Sequence, residues 1–296
     1  MKKIIIAGGT GFLGVALRKY FEKQGIVVIT LSRKRTLNTT YWNGKDLGDW
    51  KSHLEDADLL INLAGKSVDC RYTPANKQAI LSSRIDSTRV LNEAIAQCKT
   101  PPKVFLNAST ATIYVHSETT MNTEENGIIG DNFSMNIAKS WEQEFFSTQP
   151  NGVRKVALRT SIVLGNDGGA LPKMKLITKL GMGAKQGRGN QMVSWIHISD
   201  FCRALDFVIH SKFSGPVNIT APQPLRNKEF TTQLRKSMNI PFGISQPAWL
   251  LELGAAILGT ETELLLKSRN VYPQRLVDAG FTFNYPTVEL CLADLI

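Results

Sequence analysis

A doubly wound parallel α/β sheet followed by a smaller α+β portion is the fold class this sequence predicts, on three observations. Short β-branched runs alternate with helical stripes from Lys3 to Arg159, the pattern of parallel strands joined by crossover helices. The first strand enters a glycine turn that opens a helix, and a second apolar strand follows at once. The chain has 296 residues, 43% hydrophobic and 20% charged. That is globular composition with length for one large domain or two, and it excludes disordered and fibrous classes.

Lys3-Ile4-Ile5-Ile6-Ala7 is the first strand, and Leu13, Leu17, Tyr20 and Phe21 form the apolar stripe of a helix that stops at Gly25. Between them lies Gly8-Gly9-Thr10-Gly11-Phe12-Leu13-Gly14. Its Gly9-x-Gly11-x-x-Gly14 spacing is the dinucleotide fingerprint of a Rossmann-type sheet. The glycines permit the tight turn, let the backbone approach a pyrophosphate and let the helix pack closely on its strand. The second strand, 26–31, ends in Ser32-Arg33-Lys34-Arg35. A site for NAD usually places an acid there to bond the ribose hydroxyls, whereas cations suit a 2′-phosphate, so the expected cofactor is NADP(H).

Asp58-Leu59-Leu60-Ile61-Asn62-Leu63-Ala64-Gly65 is a third strand ending in small residues that leave room for a ligand. Thr73-Pro74, an N-cap and first helical residue, opens a long helix reaching about Cys98. The next strand, 103–108, passes into Ser109-Thr110-Ala111-Thr112-Ile113-Tyr114, clustering hydroxyls at the carboxyl end of a strand, where open α/β sheets bind ligands. A polar loop at 116–132, a helix at 133–147 and a strand at 153–159 continue the alternation.

The character changes around Gly165-Asn166-Asp167-Gly168-Gly169, and the glycine-rich stretch 181–190 reads as a mobile loop over a site. Residues 1–165 are therefore expected to form the cofactor domain, with 192–212 returning to it. Residues 166–191 and 213–296 are expected to form the smaller substrate domain, with a strand near 217–220 and helices near 227–238 and 247–258. Its last unit is read as a strand at Phe281-Thr282-Phe283 and a helix with Val288, Leu292 and Leu295 on one side.

A net charge of +10 and a pI near 9.5 favour anionic small molecules. The cations are spread along the chain without an aromatic-basic motif, which argues against nucleic acid. The amino-terminal apolar run stops at Ala7, so it is a strand and not a signal peptide. No apolar run reaches membrane-spanning length, which predicts no membrane partner. Cys70, Cys98, Cys202 and Cys291 show no metal-ligand spacing and no histidine pairs with another, so a reduced cytoplasm and no metal are expected. The oligomeric state is not legible.

These residues resemble an atypical extended short-chain dehydrogenase/reductase of the nucleoside-diphosphate-sugar epimerase-like family that carries a C-terminal domain of unknown function. The resemblance runs along nearly the whole chain, through residues 8–14, Ser32-Arg33-Lys34, Asn62-Leu63-Ala64-Gly65, Ser83-Arg84-Ile85, Arg159, Val163-Leu164-Gly165, Gln191, Ser194-Trp195-Ile196-His197 and Pro273-Gln274-Arg275-Leu276. It implies that Gly8, Thr10, Gly11, Phe12, Leu13, Gly14, Ser32, Arg33, Lys34, Leu63, Ala64, Gly65 and Arg84 line the NADP(H) site. It also implies a substrate cleft built by the C-terminal domain near Gln191, Trp195 and His197.

Enzymes of that family use a Ser/Thr, a Tyr and a Lys four residues after the Tyr, the phenol moving the proton. Thr110 matches the first. Aligning Trp141-Glu142 with the end of the helix puts Ser134 and Ala138 at the other two positions, and the register that uses Lys139 puts Met135 in place of the Tyr. The remaining candidates for proton transfer are Tyr114, Lys139, water ordered by Thr110, and the substrate itself.

The expected function is NADP(H)-dependent oxidation, reduction or epimerisation of a small carbonyl or sugar, a nucleotide-linked one included. The rival is a non-catalytic NADP(H)-binding sensor or scaffold with a protein partner. RNA binding by the basic surface is a distant third.

Overall fold

The computed structural model describes residues 1–252, 261 and 266–296. The first half comprises β1 (Lys3–Ala7), α1 (Phe12–Glu22), β2 (Val27–Ser32), β3 (Thr40–Tyr41), β4 (Leu59–Asn62), α2 (Pro74–Ala96), β5 (Val104–Thr110), α3 (Phe133–Phe146) and β6 (Arg154–Thr160). Then follow β7 (Ile162–Leu164), α4 (Leu171–Ile177), β8 (Met192–Val193), β9 (Trp195–His197), α5 (Ile198–His210), β10 (Gly215–Ile219), β11 (Leu225–Arg226), α6 (Asn227–Ser237), α7 (Gln274–Asp278) and α8 (Val288–Leu295).

Seven strands form one sheet in the order β10-β6-β5-β4-β1-β2-β3, every pairing parallel. Because side chains alternate along a strand, the isoleucine run of β1 serves two cores. Ile4 and Ile6 join Leu59, Ile61, Leu106 and Val217 under α1 and α5, which contribute Leu17, Phe21, Phe201 and Leu205. Ile5 and Ala7 join Leu60, Phe105 and Ala157 under α2 and α3, which contribute Leu91, Ile95 and Phe145. A third core unites Leu164, Leu171, Trp195, Phe230, Leu234, Val288 and Leu292.

The strand expected to open the smaller portion is instead the edge of the main sheet, where Val217 and Ile219 pair with Leu158 and Thr160 of β6. Helix α5 has carried the chain back to that edge, and the strand's apolar side chains complete the core beneath it. In the other direction, Met192–Val193 leaves the main sheet and pairs antiparallel with β11. Strand β9 pairs with β7 in a separate ribbon, turning Trp195 to the third core and Ile196 to the first.

Phe281-Thr282-Phe283 is not a strand, and it pairs with none of the strands among the described residues. Phe281 packs edge-on against Phe207 and Phe283, and the buried Asp200 carboxylate accepts the N–H groups of Asn284 and Tyr285. Of the helix expected at 247–258, helical residues 248–252 are described and the remainder lies outside the described residues.

Candidate functional site

From β1 the sheet runs through β2 and β3 in one direction and through β4, β5, β6 and β10 in the other. The reversal opens a crevice at the carboxyl ends of β1 and β4, where residues 8–14 and 63–65 meet. Gly8 has φ +73°, and a Cβ on it would lie 2.8 Å from the backbone of Ala64, so only glycine lets the two loops touch. A Cβ on Gly14 would lie 2.4 Å from Gly9 Cα, while one on Gly11 would meet nothing within 4 Å. The turn is therefore closed behind by α1 and open in front. Gly11 caps α1 without a side-chain bond, and no acid stands in the first turn, leaving N–H groups to face an anion.

Phe12 covers Gly165, Gly168 and Gly169, where added Cβ atoms would come within 2.8–3.1 Å of its ring or side chain. At the end of β2 the buried Ser32 Oγ accepts from the Lys34 N–H at 3.1 Å, and Arg33 and Lys34 are exposed. The Gly8 N–H donates to the Leu31 carbonyl at 2.9 Å, which holds this basic turn beside the glycine turn.

The β4 loop is pinned from below by an amide network that the strand-end pattern alone did not reveal. Asn62 accepts from the Ala64 N–H at 3.0 Å and donates to Asn107 at 2.7 Å and to Thr88 at 3.2 Å. Arg84 packs against Gly65, donates to the carbonyls of Lys66 and Ile80 at 3.0 Å and lies 4.9 Å from the Trp141 ring centroid. It is half-buried with no carboxylate partner among the described residues, and burial pushes its guanidinium down to about 10.

Along β5, Ser109 and Thr110 point to opposite faces. Thr110 Oγ1 accepts from the Thr112 N–H at 3.1 Å, and among the described residues its hydroxyl proton has no acceptor. Ser109 donates to Glu142 at 2.6 Å, and Glu142 receives Arg159 through two bonds of 2.8 and 2.7 Å. Arg159 also donates to the Tyr114 hydroxyl at 2.8 Å, and that hydroxyl donates to Asn218 at 2.9 Å. Tyr114 is thus buried and engaged on both sides, with burial raising its phenol above the ordinary value against the pull of Arg159.

Lys139 stands apart from this group, paired at 2.6 Å with the exposed Asp131. Met135 and Ala138 are buried, and the buried Ser134 hydroxyl has no partner among the described residues.

The three residues expected near substrate lie inside the fold. Gln191 is buried and donates to the Gln186 carbonyl, tying down the glycine-rich stretch, which is also bonded to Gln246 and Asn227. Trp195 fills the third core and donates to the Gln223 carbonyl at 3.2 Å. His197 caps α5 by accepting the Ser199 N–H through Nδ1, bonds Asp294 through Nε2 at 3.1 Å and stacks on Tyr285 at 3.8 Å. Burial lowers its pKa, opposed by Asp294. Packing and capping account for both Trp195 and His197.

A family model described as the NAD dependent epimerase/dehydratase family matches residues 4–220, and a domain of unknown function, DUF1731, matches residues 246–295. An epimerase family protein of Staphylococcus haemolyticus is 36% identical over 301 residues, covering 100% of this chain and 99% of its own. The epimerase family protein YfhF of Bacillus subtilis is 35% identical over 300 residues, covering 99% of this chain and 97% of its own. The human epimerase family protein SDR39U1 (isoform 2), crystallised with NADPH, superposes with a TM-score of 0.90 at 28% identity and covers 99% of this chain and 98% of that one.

Proposed function

This chain belongs to the NAD dependent epimerase/dehydratase family, and from that premise we propose that it is an NADP(H)-dependent oxidoreductase or epimerase-like enzyme acting on a small carbonyl or sugar, a nucleotide-linked one included. The observation that carries the reading is the glycine cradle, closed behind by Gly14 and open at Gly11, beside an exposed cationic turn. That cradle fits a pyrophosphate, Arg33 and Lys34 fit a 2′-phosphate, and the human relative was crystallised with NADPH. When bound, NADP(H) supplies the hydride acceptor or donor.

Arg33→Ala is expected to erase most of a preference for NADPH over NADH, since a charge-assisted bond contributes about 1.5–3 kcal/mol, roughly 10- to 150-fold in affinity. Titration of both nucleotides against both proteins checks this. Equal affinities in the unsubstituted protein would remove the 2′-phosphate role.

For the chemistry, the chain's own contribution centres on Thr110. Its free hydroxyl proton orients a substrate oxygen, and water held there carries the transferred proton, because Tyr114 is engaged by Arg159 and Asn218 and Lys139 by Asp131. A positioned general acid usually contributes about 10²- to 10⁴-fold, so turnover on generic carbonyls is expected to be slow.

Thr110→Val should abolish turnover and leave the NADPH dissociation constant nearly unchanged. Tyr114→Phe should leave turnover nearly unchanged and lower stability by about 1–3 kcal/mol, the penalty for buried groups left unpaired. Absorbance at the nicotinamide wavelength over a panel of aldehydes and sugar nucleotides, with thermal melts alongside, tests both. The engagement of Tyr114 and Lys139 also favours a second reading, a nucleotide-binding sensor. NADPH binding without turnover on any substrate would select it.

A further inference from the structure

Leu176, Leu180, Met182, Phe242, Ile244 and Trp249 are among the large apolar side chains that stand exposed in the C-terminal half. Leu176 and Leu180 share a face at i, i+4 spacing, where α4 runs on into the wider turn Thr178–Met182. The Ile244 N–H donates to the Gly181 carbonyl at 2.8 Å and the Gln246 N–H to the Lys185 carbonyl at 2.9 Å. The Gln246 side chain donates to the Met182 carbonyl. These bonds set Phe242 and Ile244 beside Leu180 and Met182, and the turn bearing Trp249 begins at Pro247, whose carbonyl accepts the Leu250 N–H.

The surroundings are cationic. Between Asp167 and Asp200 no acid occurs, while Lys173, Lys175, Lys179, Lys185 and Arg188 fall there; Lys173 pairs with Asp69 and Arg188 with Glu118, so the charge beside the patch rests on Lys179 and Lys185, against the exposed Glu252 three residues beyond Trp249. Lys179 and Lys185 are exposed, and a Cβ on Gly243 would lie 2.9 Å from Arg235 Cδ, so that arginine's stem underlies the patch. Contiguous apolar patches on monomers mark interaction sites. Lysine is depleted at protein interfaces, whereas lysines around Trp, Phe and Leu are the make-up of surfaces that lie in a lipid headgroup layer.

We propose that this face docks the protein on an anionic lipid bilayer, the apolar tips entering the headgroup layer while Lys179 and Lys185 meet lipid phosphates. The short apolar runs in the sequence bear on spanning alone, and none of the described helices is long and apolar enough to cross a membrane.

Trp249 makes the test direct. It is 66% exposed, while Trp42, Trp50, Trp141 and Trp195 are at most 5% exposed, so exposure-sensitive tryptophan fluorescence reports on Trp249. With equimolar phosphatidylglycerol and phosphatidylcholine vesicles, the full chain should show a blue-shifted emission and protection from acrylamide quenching. Partition should exceed that on phosphatidylcholine alone by about 25-fold, since two lysines each contribute about 1 kcal/mol, roughly five-fold apiece, near an anionic surface. It should be reversed at about 1 M salt, where the screening length is about 3 Å.

Lys179→Glu with Lys185→Glu should remove that preference. Leu180→Ser with Phe242→Ser, at exposed positions the fold does not need, should remove the blue shift with melting temperature unchanged. Absence of partition, equal partition on zwitterionic vesicles, or a lipid-free dimer that shields Trp249 overturns the proposal.

Discussion

Glu142→Ala is expected to lower stability by about 3–5 kcal/mol, the cost of leaving one member of a buried ion pair without the other. Arg159 keeps its charge in any accessible solution. Burial opposes that charge, and the Glu142 carboxylate overcomes the opposition, raising the guanidinium pKa above its ordinary value. Without Glu142, two bonds of 2.8 and 2.7 Å are lost from the guanidinium and the Ser109 hydroxyl loses its acceptor. The damage falls on β5 and β6, the strands that carry Thr110 and its neighbour Thr160. Thermal melting should register a fall on the order of 10 °C. Pairing Glu142→Leu with Arg159→Met should recover much of it, because apolar replacement of both partners leaves no unpaired charge. A loss below about 1 kcal/mol in the single variant would mean that water compensates the guanidinium, which an exposed pair would show.

A chain ending at Gly280 is expected to lose the third core and become insoluble or melt far lower. Val288, Leu292 and Leu295 are buried there, each contributing about 1.5–3 kcal/mol against a total stability typically of about 5–15 kcal/mol. The truncation also takes Asp294 and the stacked Tyr285 ring from His197, and the Asn284 and Tyr285 N–H groups from the buried Asp200. Expression, solubility and melting temperature check the claim. A soluble product with an unchanged melting temperature would show that α8 is an appendage.

The isoleucines of β1, the stripe Leu13, Leu17, Tyr20 and Phe21, the Thr73-Pro74 start of α2 and the glycine turn before Phe12 were all legible, because periodicity and capping act over a few residues. That local reach also made the parts of the proposed cofactor cleft legible, since its glycines and the basic turn after β2 lie at strand ends whose positions follow from the alternation. Long-range pairing decided the rest. Val217 and Ile219 look alike whether they begin a new domain or complete a sheet, and only the return of α5 to the β6 edge placed them.

Trp195 and His197 carry chemistry-bearing side chains in a short motif, yet the ribbon they form turns them onto α8, from which Asp294 reaches the imidazole. Likewise no window of sequence shows that Glu142, Arg159, Tyr114 and Asn218 share one buried network, or that Leu180 and Ile244 share one exposed face. Local spacing determined the strands, helices and glycine cradle, because a helix turn or strand pleat is built by neighbours in the chain. Which side chains are spent on packing and which stay open to a ligand was decided by tertiary structure, because burial and hydrogen-bond partners are supplied by residues remote in sequence.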